Sequence, residues 1–129
     1  VEARRRRPLE TTAELSGLVE SAIGRKRRGG IHPATRTFQA LRIAVNNELE
    51  SLSMLLDHGP ARLRVGGRMI VLAYHSLEDR PVKNRFRELV REGSFVAVTR
   101  KAMRPSEAEC AANPRARSAR LRCIERVAQ

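Results

Sequence analysis

The stretch Gly66-Gly67-Arg68-Met69-Ile70-Val71-Leu72-Ala73-Tyr74-His75-Ser76-Leu77-Glu78-Asp79-Arg80 constrains the fold more than any other part of the chain. From Met69 to Tyr74 there is no charge and no apolar–polar alternation, which is the pattern of a strand covered on both faces, as in parallel α/β sheets. The polar residues begin where that strand ends. Ligands of open α/β sheets sit outside the carboxyl ends of the strands, so His75, Ser76, Glu78 and Asp79 occupy the place where a site is expected. Asp79 is predicted to cap a following helix, with Pro81 in its first turn, an apolar stripe of Val82, Phe86, Leu89 and Val90, and a stop at Gly93.

Upstream of the strand, Val1 to Pro8 carries Arg4 to Arg7 and reads as a solvated lead-in. Thr11 and Glu14 then form a capping-box pattern before Leu15, Leu18, Val19, Ala22 and Ile23 at helical spacing, and Gly24 ends that helix. Arg25-Lys26-Arg27-Arg28-Gly29-Gly30 follows as a flexible basic loop, either a grip for phosphates or a solvated linker. From His32-Pro33 the apolar set Phe38, Leu41, Val45, Leu49, Leu52, Leu55 and Leu56 steps by three and four, predicting one long helix that ends near Asp57. Gly59-Pro60 breaks it, Ala61 to Val65 adds a turn, and Gly66-Gly67 leads into the strand. Downstream, Phe95 to Arg100 and Ser118 to Val127 read as two strands that pair as an antiparallel hairpin. Between them Ser106 and Glu109 open a short helix that stops before Asn113-Pro114, and Arg115, Arg117, Arg120 and Arg122 form a basic ladder.

Charge decides the class of partner. The chain has 129 residues with 26 Lys plus Arg against 14 Asp plus Glu, a formal charge of +12, which points to a polyanion and first of all to nucleic acid. Arg outnumbers Lys, which suits bidentate phosphate contacts. The aromatic residues are Phe38, Tyr74, Phe86 and Phe95 without any Trp, which argues against a stacking platform for single-stranded bases. Cys110 and Cys123 form no CxxC and have no clustered His, so reduced, packed thiols are expected and no metal site. The chain opens on Val1 with no signal peptide and no apolar run of membrane-spanning length, the profile of a soluble intracellular piece of something longer, with no membrane partner.

Five strings carry a resemblance: His32-Pro33-Ala34-Thr35-Arg36-Thr37-Phe38-Gln39-Ala40-Leu41-Arg42-Ile43, Val45-Asn46-Asn47-Glu48-Leu49-Glu50, Gly66-Gly67-Arg68, His75-Ser76-Leu77-Glu78-Asp79-Arg80 and Asn113-Pro114-Arg115-Ala116-Arg117-Ser118. In this order, over nearly the whole chain, they resemble the RsmH (MraW) family of S-adenosylmethionine-dependent methyltransferases, which modify the exocyclic N4 amine of a cytidine in small-subunit (16S) ribosomal RNA. The resemblance implies an α/β fold, the C-terminal part of a Rossmann-like methyltransferase domain. Residues 1–30 would be the end of a helical insertion with its basic linker, and residues 31–129 the C-terminal half of the catalytic domain, closing on a terminal hairpin. It implies cytoplasmic location and a ribosomal RNA partner, with a dimer left open. The family's cofactor loop follows its first strand, whereas Gly29-Gly30 and Gly66-Gly67 stand in no strand, Gly-x-Gly, helix context, so no S-adenosylmethionine-binding residue is expected within this chain and the piece alone is expected to be inactive. Ala73-Tyr74 stands where Ser-Phe is expected, and Pro81 replaces an aliphatic residue.

Methylating a cytosine amine requires localising a lone pair delocalised into the ring, which positioning and electrostatics can supply without a cysteine nucleophile. His75, Ser76 and Asp79 are the candidates for shaping the target pocket, against the plainer readings that His75 is a satisfied structural histidine and Asp79 a helix cap paired with Arg80. Arg25, Lys26, Arg27, Arg28, Arg36, Arg42, Arg115 and Arg117 are the candidates for gripping RNA phosphates. The rival class is a non-catalytic basic RNA-binding or ribosome-associated module.

Overall fold

A computed structural model describes residues 1–24 and 31–128, and the chain divides into two compact units, Val1–Glu48 and the residues from Leu49 onward. The basic loop Arg25 to Arg28 lies outside the described residues.

The first unit is helical. The lead-in is solvated, with none of its residues buried, but it forms a short helix, α1 (Glu2–Arg6), because Glu, Ala and Arg are good helix formers. α2 (Thr12–Ile23) has the full capping box, in which Thr11 Oγ1 accepts from the Glu14 N–H at 3.2 Å and Glu14 Oε2 accepts from the Thr11 N–H at 3.3 Å. The single long helix expected from residue 33 to 57 is instead two, α3 (Thr35–Asn46) and α4 (Glu48–His58). Asn47 sits between them at φ 50°, the left-handed region that asparagine tolerates better than most residues, so an apolar spacing that runs on without a break is carried by two helices.

The second unit holds the core. β1 (Arg68–Ala73) and β2 (Phe95–Ala97) both pair antiparallel with β3 (Arg120–Arg126), giving the order β1-β3-β2. The expected terminal hairpin is thus present, with β3 in the middle of the sheet. α5 (Ser76–Arg91) lies on one face of this sheet, and Val82, Phe86 and Leu89 pack with Met69, Phe95, Ile124 and Leu56 of α4. Register explains the alignment: Met69 faces Ile124, Val71 faces Arg122 and Ala73 faces Arg120, which places these side chains on the α5 side. On the other face Ile70 is 60% exposed and Leu72 49%. The expectation of a strand covered on both faces is therefore corrected. Within this unit β1 is an edge strand with one packed side, and its unbroken apolar run exceeds what one covered face requires.

Two glycines shape the approach to β1. A Cβ at Gly59 would lie 2.6 Å from the Leu55 carbonyl oxygen, so only glycine fits where α4 turns into the 3-10 turn Pro60–Arg62. Gly66 adopts φ +78° and donates its N–H to the Arg126 carbonyl at 2.8 Å. The guanidinium of Arg126 in turn donates to the carbonyls of Ala61 and Leu63 at 3.1 and 2.7 Å, tying the turn to β3.

After Ala97 the chain bulges. The N–H groups of Val98 and Thr99 both donate to the Cys123 carbonyl at 3.1 Å, and pairing resumes only at Met103 and Leu121. The expected strand Phe95 to Arg100 is shortened by that arch, and Thr99 Oγ1, accepting from the Cys123 N–H at 2.9 Å, pins it. α6 (Glu107–Ala112) starts at Ser106, whose Oγ accepts from the Glu109 N–H at 3.1 Å, and ends before Asn113-Pro114. Cys110 and Cys123 are free thiols, and burial pushes that of Cys123 up.

Candidate functional site

The turn at the end of β1 is built differently from its sequence pattern. α5 begins at Ser76 with His75 in the N-cap position and extended backbone, so Asp79 is a first-turn residue and not the cap. Glu78 reaches back to accept the Tyr74 N–H through Oε2 at 2.9 Å, and its Oε1 lies 3.2 Å from His75 Nε2. Pro81 consequently falls within the helix beyond its first turn. Its absent N–H leaves the carbonyl of Leu77 without a helical donor, and Leu77 is exposed enough for solvent to supply one.

Asp79 is 6% exposed, the one buried charged side chain among the described residues. Its partners are not Arg80 but two arginines of β3. Arg122 Nε donates to Oδ1 at 2.7 Å and a terminal nitrogen of the same guanidinium donates to Oδ2 at 3.1 Å, a bidentate fork, while Arg120 donates to Oδ2 at 3.1 Å. The hydrogen bond from Arg122 holds the Asp79 carboxyl below the usual carboxylate range against the opposing effect of burial, and Arg120 adds to it. This carboxylate fastens the first turn of α5 to the middle strand, fixing the direction in which His75 and Ser76 leave the sheet. A carboxylate so engaged is a positioning group and not a proton acceptor for a substrate.

Among the phosphate-gripping candidates, Arg42 is held in a bidentate contact with Glu48, at 2.7 and 3.0 Å. Arg36 is exposed on α3, and Arg115 and Arg117 are exposed in the 3-10 turn Pro114–Ser118. The basic ladder therefore divides: Arg115 and Arg117 face solvent, whereas Arg120 and Arg122 turn inward to Asp79. Sequence reading missed that inward pair because nothing local links residue 79 to residues 120 and 122; the alternation of arginines along β3 is the one signal of it.

Gly66-Gly67 precedes β1 instead of following it, and a Cβ at Gly67 would meet the Arg64 carbonyl oxygen at 2.8 Å, so its glycine serves a tight local turn.

The second unit is thus an α/β unit with a polar turn at a strand's carboxyl end and a helix fastened to the sheet by a buried ion pair. Residues 1–127 match the MraW methylase family, and the chain belongs to that family. It is 54% identical over 134 residues to the ribosomal RNA small subunit methyltransferase H of Anaeromyxobacter sp., covering 90% of this chain and 43% of that protein. It is 52% identical over 122 residues to the enzyme of the same name from Synechococcus elongatus, covering 94% and 40%. The corresponding protein of Acetivibrio thermocellus is 46% identical over 143 residues, covering 98% and 46%. The chain thus spans less than half the length of these curated relatives.

Proposed function

We propose that this chain is part of a methyltransferase that transfers a methyl group to the exocyclic N4 amine of a cytidine in 16S ribosomal RNA. Its membership of the MraW methylase family over residues 1–127 carries this reading. The donor is S-adenosylmethionine, held by the part of the family's length that this chain does not span, and the chain by itself transfers nothing. In this reading residues 1–30 close the helical insertion and the following residues complete the catalytic domain, which works in the cytoplasm on the small ribosomal subunit. No helix among the described residues is long and apolar enough to cross a membrane.

The chain's own contribution is positional. Glu78, anchored on the Tyr74 N–H, orients His75, and the Asp79–Arg122 fork fixes the helix that carries both. His75 and Ser76 then border the place where the target base is held with its amine aligned, which is the part of the task that fixed geometry can supply. The first measurement is methyl transfer to small-subunit RNA by the protein as its gene encodes it, beside the His75→Ala variant. Transfer should fall at least tenfold in the variant with its melting temperature and donor affinity unchanged. Unaltered turnover would take His75 out of the pocket, and no transfer by the unsubstituted protein would end the methyltransferase reading.

A further inference from the structure

We propose that the cleft between α5, the arch after β2 and the N-terminal half of β3 is a second RNA site, one that grips the phosphodiester backbone of a single strand. The choice of RNA rests on the function proposed above; the site itself rests on geometry. Helical spacing brings Lys83, Phe86, Arg87 and Val90 to one face of α5, and strand alternation brings Arg120, Arg122 and Ile124 to the facing side of β3. The bulge at Val98 and Thr99 lifts Arg100, Lys101 and Arg104 over the third side. The open cleft has a volume of about 470 Å³, within the range of about 300–1,000 Å³ common for ligand sites.

Its charge is one-sided. Seven cationic side chains line the cleft and no carboxylate does. Arg120 and Arg122 are held by Asp79, but Lys83, Arg87, Arg100, Lys101 and Arg104 make no ion pair among the described residues. Holding five uncompensated cations around one recess costs stability through mutual repulsion, a cost that an anionic ligand removes. The floor is apolar but recessed, with Phe86 6% and Ile124 1% exposed, so it is shaped to lie under a ribose or base edge and cannot insert into a lipid surface. Lys83 is half-buried and Arg87, Arg100, Lys101 and Arg104 are exposed along the rim, where the phosphates of a single strand can follow the cleft. None of the five stands out in the sequence, where residues 83 to 87 and 100 to 104 belong to separate elements.

The test uses the protein as its gene encodes it, a fluorescent single-stranded oligoribonucleotide of mixed sequence, and anisotropy at several salt concentrations. Arg87→Gln with Lys101→Gln should weaken binding roughly tenfold and flatten the salt dependence by about 1.4 in log–log slope, about 0.7 for each phosphate that the variant no longer neutralises. Arg62→Gln with Arg64→Gln removes the same charge from exposed positions outside the cleft and should change affinity by less than about twofold, with the melting temperatures of all variants matching. Equal losses in both pairs would overturn the proposal in favour of diffuse charge attraction. Full competition by inorganic phosphate at equal phosphate concentration would overturn it in favour of a small-anion site, and cleft-dependent binding to phosphatidylglycerol vesicles without binding to RNA would overturn it in favour of a membrane surface. Methyl transfer is measured alongside. A protein that binds RNA through the cleft but methylates nothing leaves the site standing without the methyltransferase reading, whereas one that methylates with the cleft variants binding normally does the reverse.

Discussion

Asp79 is the residue on which the geometry of the turn depends. Breaking a buried ion pair by neutralising one partner leaves two guanidiniums without their acceptor, so Asp79→Asn should destabilise the second unit by about 3 kcal/mol in denaturant unfolding. The pH dependence follows from its lowered pKa. The unfolded chain takes up the Asp79 proton near pH 4 while the folded one still excludes it, so the contribution is fully present above about pH 4 and is lost as pH falls through the folded value. The acid limb of a stability–pH profile should therefore flatten in the Asn variant. Thr11 is the clearest case of a residue whose role is legible from spacing alone, and Thr11→Ala should cost α2 about 1 kcal/mol, read as lost helicity at that end of the chain.

At the scale of elements, burial and not hydrophobicity sets the energetics of β1 and β3. Ile124 is fully buried beneath α5 and Ile70 is mostly exposed on the open face of the same sheet. Ile124→Ala should cost about 2–5 kcal/mol and Ile70→Ala less than about 1 kcal/mol in denaturant unfolding, although the two residues sit in strands that pair directly. Helix existence follows from periodicity and caps, as in α2 and α6. Helix limits do not. The break at Asn47 falls inside an unbroken apolar repeat, and Asp79 two residues ahead of Pro81 is a strong capping signal for α5, whereas the β3 arginines engage the Asp79 carboxylate and it is Glu78 that reaches back to the Tyr74 N–H.

Across the whole molecule stability is unevenly distributed. The buried apolar cluster of Leu56, Met69, Val82, Phe86, Leu89, Phe95 and Ile124 lies entirely in the second unit, while α1, α2 and α3 contain no buried residue. Amide hydrogen exchange should accordingly show β3 and α5 protected to the global stability and α1 to α3 exchanging through local opening, and comparable protection throughout would contradict this partition. From the sequence alone came α2, β1, α6 and the terminal antiparallel pair, the caps at Thr11 and Ser106, the excess of positive charge and the five strings that mark the family, because each is written in spacing, turn chemistry or residue type within a few positions. Tertiary structure alone decided which arginines are consumed and which are available: strand register brought residues 120 and 122 to Asp79, and a bulge with a helix face gathered Lys83, Arg87, Arg100, Lys101 and Arg104 around one recess. Both outcomes depend on residues tens of positions apart meeting in space, and the energy that brings them together is the burial of the apolar face on which they are carried.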